Sequence, residues 1–142
     1  MRLADVGSGG GFPGIPIAIV RPDIRVTLIE ATHKKAEFLK HVATRLQLGN
    51  VTVIADRSEN LRGHQWDIVV TRALAAMDKL VTLCLPLVKP GGKLLAMKGP
   101  RGREELPAAA KSIRRFRGEE PVIHPANLPG RDHIIIEIQR RG

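Results

Sequence analysis

The sequence predicts an α/β fold, a mostly parallel sheet with helices on both faces, on three observations. Strand-like and helix-like stretches alternate five times along the chain. The first strand runs straight into a glycine-rich turn, Gly7-Ser8-Gly9-Gly10-Gly11-Phe12-Pro13-Gly14, with a helix behind it. Charged residues stand where the apolar strands finish: Asp5, Glu30, Arg72 and Lys98, with Glu59 just beyond the third strand. Parallel neighbours need crossover helices, and a sheet covered on both faces has apolar strands. Ligands of such sheets bind at the carboxyl ends of the strands, where the strand order reverses.

The elements follow in order. Met1–Val6 is a strand and roughly Gly14–Arg21 a helix. Pro13 and Pro16 sit where the amides are unpaired in any case, so they cost little. Ile24–Glu30 is a β-branched second strand. Over His33–Leu48, apolar residues recur at Ala36, Leu39, Val42, Ala43 and Leu46, a helical spacing with Lys34, Lys35, Lys40 and Arg45 outside it. Gly49-Asn50 is expected to stop that helix. Val51–Ala55 is a third strand, Ser58-Glu59-Asn60-Leu61 a short turn or helix, and Trp66–Thr71 a fourth strand with Trp66 packing at its edge. A helix over Ala73–Val88 is expected to stop at Lys89-Pro90-Gly91-Gly92, ahead of a fifth strand, Lys93–Lys98. Glu104–Phe116 is a further helix. The tail holds two strands, Pro121–His124 and His133–Gln139, read as an antiparallel hairpin across Leu128-Pro129-Gly130. That makes seven strands. With no repeat and no internal linker, residues 1–142 are expected to form one domain.

The totals narrow the function. A hydrophobic content of 43% is ordinary for a globular chain. No apolar run approaches a membrane span, so no membrane role is expected and the cytoplasm is the expected location. A single cysteine, Cys84, offers neither a disulfide nor a zinc cluster. His33, His41, His64, His124 and His133 lack metal-ligand spacing, so no metal is expected. The net charge of +9 points to a polyanionic partner, nucleic acid first. Aromatics at 3% argue against a base-stacking platform.

The glycine loop reads as a cofactor loop, because glycine lets the backbone approach a ligand and the helix start presents free N–H groups. An acid closing the second strand, Glu30, can accept hydrogen bonds from both hydroxyls of a ribose, which marks an adenosine-containing ligand. Gly9-x-Gly11-x-x-Gly14 matches the dinucleotide pattern, so an NAD-dependent oxidoreductase is one reading. S-adenosylmethionine is the favoured one. Its ammonium suits Asp5, which would repel a pyrophosphate, although Asp5 could instead cap the helix across the loop. No Gly-Lys-Ser/Thr follows the glycines, and Ser8 lacks a Gly-x-Ser-x-Gly frame. Tyrosine is absent, which removes the aromatic type of amino-methylation site, and Cys84 lies within a helix, away from any nucleophilic role. An acceptor that is already nucleophilic remains open, and guanine N7 is such an atom: it has a lone pair and no proton to lose. Methyl transfer to it asks for alignment rather than acid–base catalysis.

The run Asp5 to Pro16, then Glu30 with Lys34-Lys35 and Phe38-Leu39, then Thr71-Arg72-Ala73 and Lys98-Gly99, closely resembles the glucose-inhibited division protein B family over essentially the whole chain. These are bacterial 16S rRNA guanine-N7 methyltransferases. The resemblance implies a Rossmann-like class I fold that uses S-adenosyl-L-methionine, and 16S rRNA or the small ribosomal subunit as partner. It implies that Gly7 and Phe12, in the loop with Asp5 and Gly9, line the cofactor pocket. Ser58 and Glu59 would lie against the adenine and Glu30 would hold the ribose. Arg72 would stand at the reaction side and Lys98 near substrate, with no catalytic side chain beyond positioning. The family carries a helical segment ahead of the glycine motif, expected here to be missing, which admits a non-catalytic RNA-binding remnant as a further reading. The stretch Arg101, Arg103, Lys111, Arg114, Arg115 and Arg117, whose only acids are Glu104 and Glu105, is a candidate phosphate-binding face.

Overall fold

The structure is a computed structural model that describes residues 1–72, 75–128 and 131–142. Its elements are β1 (Arg2–Val6), α1 (Gly14–Val20), β2 (Arg25–Ile29), α2 (His33–Arg45), β3 (Val51–Ile54), β4 (Trp66–Arg72), α3 (Met77–Cys84), β5 (Val88–Lys98), α4 (Leu106–Arg115), β6 (Val122–Leu128) and β7 (Arg131–Gln139). Short 3-10 turns at Ser58–Leu61, Leu85–Leu87 and Pro100–Glu105 complete them. The seven strands make one sheet in the order β3-β2-β1-β4-β5-β7-β6. β1 to β5 are parallel, and β7 inserts antiparallel between β5 and β6. The order reverses between β1 and β4, so the expected ligand crevice opens there.

Alternation along the strands sorts the core into two layers. Leu3, Val26, Leu28 and Val70 pack with Ile15 and Ala18 of α1 and Leu39 of α2. Ala4, Ile29, Val69, Leu94, Ala96, Ile136 and Ile138 face the opposite way, against Met77, Leu80, Val81 and Cys84 of α3 and Ala109 and Ile113 of α4. Burial pushes the Cys84 thiol up to about 12, as befits a packing residue.

Four expectations need correction. Trp66 is 1% exposed within the second layer, because β4 is central and its indole reaches across to donate to Thr27 Oγ1 at 3.3 Å. α2 ends at Arg45, ahead of Gly49: Gln47 takes the left-handed position (φ 53°), with Leu48 N donating to Ala43 O and Gln47 N to Thr44 O. The third helix is shorter than Ala73–Val88; Ala73 lies outside the described residues, and α3 spans Met77–Cys84. Lys89-Pro90-Gly91-Gly92 do not precede the fifth strand but bulge within it. Trp66 pairs with Val88 and Ile68 with Lys93, leaving four residues opposite Asp67. Gly92 is required there, since a Cβ would stand 2.4 Å from the Asp67 carbonyl. Around the hairpin, Leu128 pairs with Arg131; Pro129 and Gly130 lie outside the described residues.

Candidate cofactor site

The parallel register brings the strand ends level. Val6 pairs with Ile29 and with Thr71, Ile29 with Ile54, and Thr71 with Ala96. The residues singled out from the sequence therefore meet along one rim: Asp5 and Gly7 at the end of β1, Glu30 after β2, Ser58 and Glu59 in the turn after β3, Arg72 closing β4 and Lys98 closing β5.

The loop after β1 is held by hydrogen bonds to the ends of β1 and β2. Gly7 N and Ser8 N donate to Ile29 O (2.9 and 3.3 Å), and Ser8 Oγ donates back to Asp5 O at 2.9 Å. Gly7, Gly9 and Gly11 hold φ of 72°, 52° and 89°, a region that favours glycine. Gly14 is demanded by space: a Cβ would lie 2.4 Å from Leu28 Cδ2 and 2.8 Å from Asp5 Oδ2. In that gap Gly14 N donates to Asp5 Oδ2 at 2.9 Å, so Asp5 does cap the start of α1 across the loop.

Two buried carboxylates define the polarity of the rim. Asp5 is 1% exposed, and its second oxygen, Oδ1, has no hydrogen-bond partner. Burial raises its carboxyl to about 7, against the lowering effect of the Gly14 N–H, Ser8 and the Arg72 charge. Glu30, 7% exposed, accepts from Gly9 N (3.0 Å) with one oxygen and from Thr32 N (3.1 Å) with the other. It thus ties the glycine loop to the start of α2. Each oxygen retains a lone pair for a further donor.

Beside Glu30 opens a cavity of about 320 Å³, lined by Gly7, Ile29, Glu30, Asp56, Ser58 and Glu59, with Lys79 and Leu83 as its α3 wall. Ser58 Oγ donates to Glu59 Oε1 at 3.2 Å. Asp5, Gly9, Phe12 and Arg72 are not in that lining: Asp5 turns to the start of α1, Gly9 N donates to Glu30 from the loop, and Arg72 closes β4 on the other side of the loop. There the Arg72 guanidinium stands over the Phe12 ring, 5.1 Å from its centroid, with Phe12 45% exposed. Lys98 is set apart again. It is 8% exposed, its Nζ lies 2.9 Å from Glu105 Oε1, and it also donates to the Ala75 carbonyl.

Sequence reasoning missed Asp56, Lys79 and Leu83. Asp56 stands two residues past β3, one step further than Glu30 stands past β2, and an acid near a strand end is a signal that could have found it. Lys79 and Leu83 share only an i, i+4 spacing, which any helix face produces.

An adenosine fits these residues: an acid able to hold paired hydroxyls beside a cavity of about 320 Å³, and an orphaned buried carboxylate oxygen one strand away. Among the described residues no group of three or more His, Cys, Asp or Glu could hold a metal, and no helix is long and apolar enough to cross a membrane.

Comparison with known proteins places the chain. Among solved structures it is similar to a predicted O-methyltransferase from Agrobacterium tumefaciens (TM-score 0.79, 16% identity, 99% of this chain and 74% of that one). It is also similar to an rRNA methylase from Streptococcus thermophilus (TM-score 0.70, 14% identity, 99% and 87%). These likenesses show the Rossmann-like fold. In sequence it is 43% identical over 147 residues to ribosomal RNA small subunit methyltransferase G of Staphylococcus carnosus, covering 96% of this chain and 61% of the relative. With the protein of that name from Corynebacterium glutamicum it is 48% identical over 124 residues, covering 84% and 56%. The chain spans about six-tenths of the length of the curated relatives it matches. The family model described as GidB, rRNA small subunit methyltransferase G, matches residues 1–134. With that match over a rim of this geometry, the chain belongs to the GidB family, the rRNA small subunit methyltransferases G.

Proposed function

We propose that this chain binds S-adenosylmethionine along the rim of β1 to β4 and directs its methyl group to N7 of a guanine in 16S rRNA of the small ribosomal subunit, in the cytoplasm. The observation that carries the reading is Glu30, a buried carboxylate opening on the 320 Å³ cavity between the ends of β2 and β3. In this reading Glu30 accepts from the ribose hydroxyls, and Ser58 and Glu59 border the adenine. Gly7 and Gly9 let the backbone approach the ligand, and Asp5 Oδ1 accepts from the ammonium group.

The cofactor, when bound, supplies an electrophilic methyl on a sulfonium. Every remaining task is positional. Phe12 of the loop and Arg72 above its ring flank the methyl end and orient the incoming base. The acceptor N7 has no proton to remove, so no general base is needed. Alignment of the two reactants is worth several orders of magnitude in rate on its own. Lys98 serves this geometry from behind, by fixing the Ala75 carbonyl that follows β4.

The test is calorimetric titration of the chain with S-adenosylhomocysteine, with NAD in parallel. Binding of S-adenosylhomocysteine that disappears in Glu30→Ala and Gly7→Asp, with circular dichroism unchanged, is the expected result. Binding of NAD instead overturns the methyltransferase reading.

A further inference from the structure

Of the chain's two basic helices, α2 and α4, only one stands beside the end of the site where an acceptor must enter. The rim is polar in direction: Glu30 and the turn after β3 serve the adenosine, whereas Arg72 closes β4, on the other side of the glycine loop. A reactant approaching the methyl end comes over β4 and β5. β5 leads through Pro100–Glu105 into α4, while α2 stands on the adenosine side and against the opposite face of the sheet.

The chemistry of α4 suits a polyanion. Its apolar face, Ala109 and Ile113, is buried in the second layer. Lys111, Arg114 and Arg115 share the exposed face by their i, i+3 and i, i+4 spacing. Arg101 and Arg103 precede them at the rim and Arg117 follows, all exposed. Among the described residues none of these six enters an ion pair, whereas Arg21, Lys40 and Lys89 each do. Glu105, which could have neutralised the series, is drawn to Lys98, leaving Glu104 as the one exposed acid between Arg101 and Arg117. Arg115 is also steadied over the Phe116 ring, 5.3 Å from its centroid.

We propose that Arg101, Arg103 and the α4 ridge of Lys111, Arg114 and Arg115 form a phosphate track for the RNA substrate, running from the reaction rim down the outer face of α4. The helix of ten residues gives the track a length of about 15 Å, enough to meet two or three successive phosphates of one strand. The track fixes orientation and carries no sequence information, as phosphate contacts do. The inference rests on the reading that RNA is the substrate.

The experiment compares two triple charge reversals of equal net charge, Lys111→Glu/Arg114→Glu/Arg115→Glu on α4 and Lys35→Glu/Lys40→Glu/Arg45→Glu on α2. The probe is deproteinised small-subunit rRNA, titrated over a series of salt concentrations, with S-adenosylhomocysteine affinity measured on each variant. The α4 variant is expected to lose at least ~10-fold in RNA affinity and about two to three in salt slope, the α2 variant under ~3-fold. S-adenosylhomocysteine binding is expected to be the same in both. Equal losses in the two variants, or an unchanged α4 variant, overturn the track. So does a loss seen on assembled subunits but not on deproteinised rRNA, which assigns the ridge to a protein partner. A parent chain that binds S-adenosylhomocysteine but no rRNA overturns the track and leaves the cofactor site standing; one that binds neither overturns the function as well.

Discussion

Lys98 and Glu105 lock the end of β5 to the start of α3. The 2.9 Å ion pair is one arm of a junction in which Lys98 also donates to the Ala75 carbonyl, and Glu105 Oε1 also accepts from Met77 N at 2.8 Å. Lys98 holds the Glu105 carboxyl below the usual carboxylate range. A lysine that the family resemblance places near substrate thus has its ammonium engaged by protein groups. Its influence on the reaction passes through the backbone that follows Arg72.

Removing the ammonium should therefore destabilise the fold before it touches chemistry. Lys98→Met strips the Ala75 carbonyl of its donor and leaves Glu105, 33% exposed, to water and Met77 N. The expected loss is about 1–3 kcal/mol in a denaturant titration. Glu105→Gln keeps an acceptor for both donors and should lose less than Lys98→Met. A Lys98→Met variant of parental stability would show that the junction carries no weight.

Gly14 and Gly10 make a matched pair in one loop. Gly14→Ala places a methyl 2.4 Å from Leu28 Cδ2 and crowds the carboxylate that caps α1, an overpacking expected to cost about 1–3 kcal/mol or more. Gly10→Ala meets nothing within 4 Å and should stay within about 0.5 kcal/mol of the parent. Thermal unfolding of the two variants side by side checks this. Equal shifts would mean that loop glycines act through chain entropy rather than through space.

How far the sequence could be read follows from the range of each interaction. The rim residues Asp5, Glu30, Arg72 and Lys98 were legible because strand ends in a parallel sheet share one edge, so pattern alone brings them together. Of their partners only the start of α1, which Asp5 caps, was legible as well. That Lys98 meets Glu105, or that Gly14 must lack a Cβ because of Leu28, depends on contacts no period reveals. The end of α2 was misread because Gln47 adopts a conformation that composition assigns to Gly49. The Lys89–Gly92 run was misread because turn chemistry does not distinguish a loop from a bulge, and only the pairing of Trp66 with Val88 shows the strand starting earlier.

Asp5 predicts a pH dependence of both folding and ligand binding. Burial raises its carboxyl from 3.8 to about 7, so between those values the native state holds a proton that the unfolded chain has released. The stability from protonated Asp5 is full below about pH 4 and is lost as pH rises through about 7, at about 1.4 kcal/mol per unit of difference between the two states. Asp5→Asn should flatten this part of the stability profile. A ligand ammonium beside Oδ1 favours the carboxylate, so S-adenosylhomocysteine affinity should rise between pH 6 and 8, and the rise should vanish in Asp5→Asn. Calorimetry at three pH values decides it; a flat affinity in the parent chain would remove Asp5 from the site.

Arg72 and Phe12 separate support from contact. A guanidinium 5.1 Å over an exposed ring is worth about 0.5–1 kcal/mol, a factor of only two to five. If Arg72 did no more than steady Phe12, Arg72→Ala would change cofactor affinity by that factor and leave turnover alone. The proposed role at the methyl end requires more: a drop in kcat of at least ~10-fold at saturating cofactor, with S-adenosylhomocysteine affinity shifted no more than about fivefold. Phe12→Leu should give a smaller fall, and the double variant should fall short of the sum of the singles, because the two side chains touch. Single-turnover methyl transfer to rRNA measures all three. Additive losses would show that Arg72 and Phe12 act on different steps.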